Sequence, residues 1–585
     1  MPLRRAGGCG SGPARRPRRP PPPRTPTASV PRHHAPTRPD RNLRHLTEPD
    51  FRQDPKDLKA LADHSFAAGV SRMVLHGFAY KDYQEPDRAT WLGWNPWGLG
   101  YISFADCWNE DWPQLKAFAG LADYTGRVGA VLRAGRPQVN VLVLDATSCI
   151  DGTTAPDPTG TPADAFRRAM YGAGLTWDVI GPYNLLSTGE VRDGRLLPDG
   201  LGYQAILVQD QAALSAEAAE RLVRLAKTGL PVVVQGAVPA RGTGYRDPAG
   251  EDARVKAAMT KLSATATVRF ATDAATAVDR LRQLGVRPDL DGTGVGNLVP
   301  VHRRTADGDA WFLYNNSVDA YAGELTFRTT GAPSSLDLWT GGITELGLYK
   351  KRGQTVTVPV RIGAGDTAVL LFDRRSSRKP TAEATNADRI LRRDGRLVAL
   401  DSRGGRRWVR LSDGSRRTVD LPGVPAPRTV TGPWTLTAVT VSPSGTATVE
   451  VDLDDPLGWS DIPALKGRSG TAVYTASVRL PASWCDRNRG VELQLGDFAG
   501  AVRVWVNSTA IRVPGVPGGS PVDVTSVLRP GSNEIRIELS TNLNNTLRGQ
   551  ALTGDPAYAS WKTRPELPYG LLGPVRLLSY AQAGV

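Results

Sequence analysis

The segment Val139-Asn140-Val141-Leu142-Val143-Leu144 is an almost continuous apolar run. Such a run is typical of a parallel strand that is buried on both faces of its sheet. Four similar runs follow it, at 177–180, 205–208, 231–235 and 268–271. Segments with helical patterning accompany most of them, at 163–171, 216–227, 252–262 and 275–284. This alternation predicts a doubly wound α/β domain over residues 136–290.

The predicted α/β domain is of flavodoxin-like or amidotransferase-like kind, but its sequence gives little sign of chemistry. No Gly-rich phosphate loop follows the first strand, where the chain reads Asp145-Ala146-Thr147-Ser148-Cys149. Cys149 could serve as a nucleophile, yet the next histidine along the chain is the distant His302. A nucleophilic cysteine needs a base within hydrogen-bond reach. We therefore interpret this domain as a structural or oligomerising module.

Upstream of this domain, residues 51–135 have the pattern of a (β/α) barrel. Asp54-Pro55 is a helix cap followed by proline at the first helical position. Residues 72–75 then predict a short buried strand, and a long loop follows. Asp111 is expected to cap a second helix that ends at Gly135. A closed barrel has eight strands and about 250 residues, so this segment predicts only an incomplete barrel remnant.

The loop after the predicted barrel strand carries the first candidate site residues. In barrels the chemistry sits on loops that follow the strands, which is where His76 lies. Trp94 belongs to a group of loop aromatics that could stack on the C–H faces of a sugar: Trp91, Trp94, Trp97, Tyr101 and Trp108. Alternatively, these rings pack the loop against neighbouring domains, and His76 is a hydrogen-bonded structural group.

Three β-rich segments complete the chain. Residues 296–375 alternate strands and turns and predict a small antiparallel β-sandwich. Residues 376–428 are rich in Arg and Ser, and they predict a linker with a few short strands, one of them at 396–400. Residues 429–582 predict a larger β-sandwich, a jelly roll, with strands at 446–452, 472–480, 490–495, 501–507 and 534–539.

The first fifty residues have a different composition. They hold 11 arginines, 3 acidic residues and 12 of the 46 prolines, which predicts disorder. This segment is either a basic arm or a non-native start, and we favour the second because no aromatic residues interleave the arginines. The overall charge of +14 is therefore weak grounds for nucleic-acid binding. No apolar run approaches the length of a membrane span, and no signal peptide is recognisable.

Several strings, taken in order, resemble glycoside hydrolase family 106, the α-L-rhamnosidases. The first runs from Phe66-Ala67-Ala68-Gly69-Val70 to His76-Gly77-Phe78-Ala79-Tyr80, and the second is Trp108-Asn109-Glu110-Asp111-Trp112-Pro113. Val301-His302-Arg303-Arg304 resembles the start of the family's first accessory sandwich. Gly458-Trp459-Ser460-Asp461, Leu495-Gly496-Asp497 and Gly570-Leu571-Leu572-Gly573 resemble the galactose-binding-like jelly roll shared with family 2 enzymes.

The resemblance implies an enzyme that hydrolyses terminal α-L-rhamnose with inversion. That chemistry needs a carboxylic acid and a carboxylate base about 6.5–9.5 Å apart. The carboxylates near the expected site are Asp82, Glu85, Asp106, Glu110 and Asp111. Neither catalytic role can be assigned to any of them, and Glu110 is kept only as a residue that lines the sugar site. The resemblance also implies calcium in full-length members, which are usually secreted or periplasmic, while this chain offers no metal-ligand spacing.

The predicted jelly roll supplies a further candidate for sugar contact. Trp561 follows a polar, Gly-containing stretch that predicts a loop, with Asn544, Asn545 and Arg548 nearby. Trp459 is flanked by apolar residues and is better interpreted as a core side chain. We therefore expect Trp561, rather than Trp459, to contact a sugar.

The sequence leads to one main functional hypothesis and two alternatives. The main one is a truncated α-L-rhamnosidase-type hydrolase that acts on rhamnose-containing plant or microbial glycans and has little activity alone. A second is a non-catalytic carbohydrate-binding or scaffold protein. A third, kinship with family 42 β-galactosidases, depends only on the order of barrel and flavodoxin-like domains. Carbohydrate is the expected partner in each case, and the oligomeric state stays open.

Overall fold

A computed structural model describes residues 53–74, 110, 112–145, 162–376 and 380–585 of the chain. Helix α1 spans Pro55–Ala67, after the predicted cap Asp54, and helix α2 spans Leu115–Arg133. The second helix begins with Gln114 at the cap position, later than the predicted start at Asp111. The predicted buried strand is wrong for residues 72–74, which form no strand, and Val74 is 88% exposed.

The five apolar runs all form strands of one parallel sheet. In chain order these strands are β2 (Val141–Leu144), β3 (Trp177–Ile180), β6 (Ala205–Gln209), β7 (Val232–Gln235) and β8 (Val268–Ala271), while β1 (Arg136–Gln138), β4 (Val191–Arg192) and β5 (Arg195–Leu196) lie outside this sheet. The sheet order is β3-β2-β6-β7-β8, which is the 2-1-3-4-5 order of flavodoxin-like folds. The accompanying helices are α3 (Pro162–Gly172), α4 (Pro182–Leu186), α5 (Ala216–Lys227), α6 (Pro248–Ser263) and α7 (Ala274–Gln283).

Alternation along the parallel strands sends side chains into two different cores. Leu142 and Leu144 pack in a core with helices α5 and α6. Val141 and Val143 face the other way, into a core that also holds Phe66 of α1 and residues of the following sandwich. One core therefore runs across the predicted domain boundaries near 135 and 290, because successive side chains of a strand point to opposite faces.

The next strands build a sandwich of two sheets. They are β9 (Leu290–Gly292), β10 (Leu298–Arg304), β11 (Gly308–Asn315), β12 (Tyr321–Phe327), β13 (Ala332–Leu336), β14 (Ile343–Leu346), β15 (Lys350–Arg352), β16 (Thr355–Ile362) and β17 (Thr367–Asp373). Strands β15, β16, β12 and β9 form a four-stranded sheet. Strand β1 pairs antiparallel with β10, so the long second sheet begins beside the parallel domain.

The stretch predicted as a linker is more regular than its composition suggested. It contains β18 (Ala382–Thr385), β19 (Arg389–Arg393), β20 (Arg396–Asp401), β21 (Gly405–Leu411), β22 (Arg416–Leu421) and β23 (Arg428–Thr429). Strands β18, β21 and β22 form a sheet, and a small core lies beneath it that includes Val409 and Leu411. Strands β19 and β20 extend the long sheet of the sandwich toward the C-terminus.

The C-terminal segment forms the larger sandwich that the sequence predicted. Its strands are β24 (Trp434–Ser442), β25 (Gly445–Leu453), β26 (Ser469–Leu480), β27 (Arg489–Gln494), β28 (Phe498–Ala499), β29 (Ala501–Val506), β30 (Thr509–Ile511), β31 (Val522–Asp523), β32 (Gly531–Ser540), β33 (Gly570–Leu571) and β34 (Arg576–Gly584), with helix α8 (Asn544–Leu552) between β32 and β33. Strands β25, β24, β26, β32, β29 and β30 form one face, and β34, β27 and β31 end the long sheet. Trp434 and Trp459 are fully buried between them. No helix in the described ranges is long and apolar enough to cross a membrane.

Candidate functional site

Two of the four predicted sugar-contact residues, Glu110 and Trp561, are among the described residues. His76 and Trp94 lie outside the described residues. Glu110 is exposed, in the turn that precedes α2. Trp561 is 7% exposed and packs with apolar side chains of its own module, including Leu547 and Tyr558. The contact of Glu110 and Trp561 with sugar stays a prediction.

The polar residues predicted near Trp561 are used within the jelly roll. The side-chain amide of Asn544 donates to the carbonyl of Pro565 at 3.0 Å, and that of Asn545 donates to the carbonyl of Leu567 at 2.9 Å. Arg548 donates to the carbonyl of Arg564 at 2.8 Å. These bonds hold α8 against the segment that follows it. The side chains that were candidates for binding sugar hydroxyls therefore have structural partners.

The structure forms a cavity elsewhere, between the parallel domain and the small sandwich. Its volume is about 590 Å³. One wall is β1 with the segment from β5 to β6, and the other consists of strand ends of the sandwich. Five arginines line the cavity: Arg136, Arg195, Arg304, Arg328 and Arg374. We call this cavity the arginine pocket.

Two buried aspartates, Asp289 and Asp309, form the floor of the arginine pocket, and the buried side chain of His302 lies beside both of them. Nε2 of His302 donates to Asp309 Oδ1 at 2.9 Å, and its Nδ1 lies 3.5 Å from Asp289 Oδ2. The imidazole ring stacks on the indole of Trp311, with 4.0 Å between ring centroids. The hydroxyl of Thr329 also donates to Asp309, at 2.7 Å. His302 and Asp309 lie on strands β10 and β11, whereas Asp289 directly precedes β9 and Thr329 lies just after β12.

Three of the five arginines are bound to these aspartates. Arg304 Nε donates to Asp309 Oδ1 at 3.0 Å, and Arg374 Nη1 lies 3.7 Å from Asp309 Oδ2. Arg328 Nε donates to Asp289 Oδ1 at 2.7 Å. Hydrogen bonds between charged groups are the strong ones, so the floor is rigidly connected to the sandwich.

The electrostatics of the two aspartates suit binding rather than proton transfer. Burial alone would raise the pKa of Asp309, but hydrogen bonds from His302 and Thr329 hold that pKa well below its usual range. Burial likewise opposes ionisation of Asp289, and the hydrogen bond and charge of His302 outweigh it and lower its pKa. A general acid for glycosidic cleavage needs a raised pKa. These two carboxylates are instead permanent negative charges.

Two other described carboxyl groups have a raised pKa, and both are buried away from the pocket. Burial raises the pKa of Asp54 to about 6, against the hydrogen bond from Gln114. Burial also raises the pKa of Asp63 to about 6, although pairing with Lys59 offsets part of this effect. Asp54 is 8% exposed and Asp63 is 0% exposed, so neither is accessible to a substrate.

The resemblance implies a calcium ion in full-length members of the family. Among the residues that the structure describes, no three side chains of His, Cys, Asp or Glu are grouped so as to hold a metal ion. A calcium site of the full-length family therefore stays a prediction.

Sequence reasoning missed the arginine pocket, although one signal for it was present. His302 and Arg304 are two residues apart on β10, so their side chains share a face. The hairpin of β10 and β11 then places Arg304 opposite Asp309. The other arginines come from strands and loops far apart in the chain, and only the folded topology brings them together.

Comparison with known proteins identifies the family that this chain resembles. Residues 46–350 match the family model of glycoside hydrolase family 106, described as alpha-L-rhamnosidase. Its fold is similar to the solved structure of a rhamnosidase from Novosphingobium sp. PP1Y, with a TM-score of 0.66 and 22% sequence identity over 91% of this chain and 47% of that chain. The chain thus spans about half the length of that rhamnosidase. No curated protein matches it.

Weaker similarity extends to two other carbohydrate-active enzymes. A β-galactosidase from Bacillus circulans sp. alkalophilus matches with a TM-score of 0.32 and 12% identity over 54% of this chain and 52% of that chain. An exo-carrageenase of family 42 from Bacteroides ovatus matches with a TM-score of 0.33 and 9% identity over 56% of this chain and 40% of that chain. Similarity at this level carries no functional argument.

Proposed function

Because the chain belongs to glycoside hydrolase family 106, the α-L-rhamnosidases, we propose that it is a glycoside hydrolase of α-L-rhamnosidase type. Its substrate is terminal rhamnose on plant or microbial glycans. The observation that carries this proposal is the family match, which covers residues 46–350. The rhamnosidase-like fold over 91% of the chain supports it.

The sugar site is proposed to lie where the barrel segment carries His76, Trp94 and Glu110. The exposure of Glu110 is compatible with contact to a ligand. An indole such as that of Trp94 offers an apolar face for the C–H side of a pyranose, while the carboxylate of Glu110 accepts hydrogen bonds from sugar hydroxyls. Trp561 is the fourth proposed contact, and it requires local rearrangement because it is now packed.

We further propose that these 585 residues have little hydrolytic activity by themselves. Inverting hydrolysis needs one carboxyl group with a raised pKa and one ionised carboxylate across the scissile bond. In the described ranges, the carboxyl groups with a raised pKa are the buried Asp54 and Asp63, which cannot reach a glycoside. The matched rhamnosidase also has more than half its length without a counterpart here.

Binding measurements test the proposed rhamnoside site, and turnover measurements test the proposed low activity. Calorimetric titration of the chain with methyl α-L-rhamnoside should show binding, with methyl α-L-fucoside as the matched control sugar. The variant Glu110→Gln should weaken the binding of the rhamnoside. Equal binding of both sugars, or of neither, would contradict a rhamnoside site.

Turnover is measured with 4-nitrophenyl α-L-rhamnoside. We expect release of 4-nitrophenol at or near the rate of the blank. Robust turnover that a single carboxylate substitution within the chain abolishes would refute the proposed low activity, and it would strengthen the assignment as a hydrolase. Rhamnoside binding without turnover also fits a carbohydrate-binding protein, and activity of a longer chain that contains this one separates the two.

A further inference from the structure

The arginine pocket has an excess of positive charge that its own acids do not balance. Five arginines face two aspartates among the residues that line it. Its volume of about 590 Å³ lies within the range of small-molecule sites, about 300–1,000 Å³. We propose that the arginine pocket binds a small acidic saccharide and holds the carboxylate of that sugar between its arginines.

Arg136 and Arg195 are the arginines best placed to hold this carboxylate. Arg136 Nη1 donates to the carbonyl of Asp199 at 2.6 Å, and Arg195 Nη1 donates to the carbonyl of Gly202 at 3.0 Å. A backbone carbonyl has no net charge, so these bonds leave the positive charge of both guanidinium groups in place. The carboxylate of Asp199 is itself bound to Arg192, at 2.6 Å.

The surroundings of Arg195 disfavour its positive charge. Partial removal from water lowers the pKa of Arg195, and the positive charges of Arg328 and Arg304 lower it further against the opposing effect of Asp289. Like charges held together cost free energy. A bound carboxylate would relieve that cost, and the planar guanidinium groups match its geometry.

The remaining lining residues favour a sugar over a simple ion. Gln138, Gln354 and Thr330 bring amide and hydroxyl groups to the wall, and such groups can bond to sugar hydroxyls. Pro198 and Leu201 add an apolar wall. That the ligand is an anion follows from the pocket alone, whereas that it is a saccharide rests on the proposed function.

The two aspartates on the floor also make the pocket rigid before a ligand arrives. They fix Arg304 and Arg328 at hydrogen-bond distance, with 3.0 Å and 2.7 Å between the bonded atoms. A folding role alone would need only the arginines that neutralise these acids. Arg136 and Arg195 exceed that need, and both are exposed to solvent.

Isothermal titration of the full chain at low ionic strength tests the proposal. The probes are 4-nitrophenyl β-D-glucuronide, its methyl ester, which is neutral, and sodium sulfate. We expect the glucuronide to bind at least about tenfold more tightly than its ester, because its carboxylate can accept charge-assisted hydrogen bonds that the neutral ester cannot. Affinity should fall as salt is added.

The variants Arg195→Gln and Arg136→Gln should each weaken glucuronide binding by about tenfold or more. Arg361→Gln is the matched control, because Arg361 is exposed on β16 and outside the pocket. Equal affinity for glucuronide and ester, or no effect of the pocket variants, would overturn the proposal. Sulfate binding as tight as the glucuronide would overturn its saccharide part.

Failure of the pocket proposal can be distinguished from failure of the hydrolase proposal. Arg195→Gln should leave the binding of methyl α-L-rhamnoside unchanged, because the proposed rhamnose residues are elsewhere in the chain. Glucuronide binding with no rhamnoside binding would support the pocket and count against the hydrolase. The reverse result would count against the pocket alone.

Discussion

Replacing Asp54 by Asn should remove a pH-dependent loss of stability at the place where α1 packs on the jelly roll. Asp54 caps α1 and is 8% exposed. Its Oδ1 accepts hydrogen bonds from the side-chain amides of Gln114, at 2.7 Å, and Asn542, at 3.2 Å. Both bonds end on the same oxygen, so the carbonyl oxygen of an Asn can accept both.

The magnitude follows from the raised pKa of Asp54. Burial raises it from 3.8 to about 6, a difference of about two units, and each unit corresponds to about 1.4 kcal/mol. A carboxyl whose folded pKa is raised contributes its full stability below the unfolded pKa and loses it as the pH rises through the folded one. The ionised Asp54 therefore costs about 3 kcal/mol at pH 7 relative to pH 3.8 or below.

Hydrogen exchange of peptides from α1 measures this cost, since it reports local opening without assuming that the whole chain unfolds in one step. At pH 7 the protection of α1 in Asp54→Asn should exceed that of the wild type by about a hundredfold, and the ratio should approach one near pH 4. Asn is also a good helix cap, so the substitution keeps the helix start.

Asp279→Asn is the control, because Asp279 is exposed on α7. It should leave the protection of α1 unchanged at every pH. The reasoning would be refuted if the ratio of α1 protection in Asp54→Asn to that in the wild type did not vary with pH. Lower protection of the variant than of the wild type at pH 7 would refute it as well. Asp63 titrates in the same pH range, and comparison of each variant with the wild type removes its contribution.

Four further substitutions test the packing and the proposed sugar contact. Lys59→Met leaves Asp63 buried without its 2.7 Å ion pair and should lower the free energy of unfolding, measured by heat or urea, by about 3–5 kcal/mol. The loss should be smaller below pH 5, where Asp63 becomes protonated. A loss of stability that is independent of pH would contradict this. Phe66→Ala, at a site 1% exposed, should cost about 3–5 kcal/mol, whereas Val74→Ser, at a site 88% exposed, should change stability by less than about 0.5 kcal/mol. Trp561→Phe should lower the melting temperature, because the smaller ring leaves part of a packed cluster empty. It should also weaken rhamnoside binding by the folded protein, and unchanged affinity would remove Trp561 from the sugar site.

The sequence predicted the parallel domain well because the physical signal there is local. An apolar run such as Val141–Leu144 must be buried on both faces, and its two cores confirm this. The jelly-roll strands were found for a similar reason, since period-two alternation marks a half-buried strand. The predicted strand is wrong for residues 72–74 because its apolar residues gave no information about a packing partner, and Val74 is 88% exposed.

The site was less predictable than the fold because its parts are joined by topology. Arg136 is on β1, Arg195 is on β5, and Arg374 follows β17. Strand β1 pairs with β10, β10 with β11, and β11 with β17, so the long sheet aligns the ends of these strands. No local pattern encodes those pairings.

The same topology gives the arginine pocket a property that bears on binding. The groups on its sandwich side are attached to paired strands, and the aspartates beneath them are fixed by hydrogen bonds to His302, Thr329 and the arginines. Association loses affinity when side chains must be ordered at the moment of binding, at about 0.5–1.5 kcal/mol for each flexible side chain. Arg304 and Arg328 have already lost that freedom in the folded state. An anion that enters the pocket therefore has to order mainly Arg136 and Arg195, which is why substitutions at these two positions are the most sensitive measure of its binding.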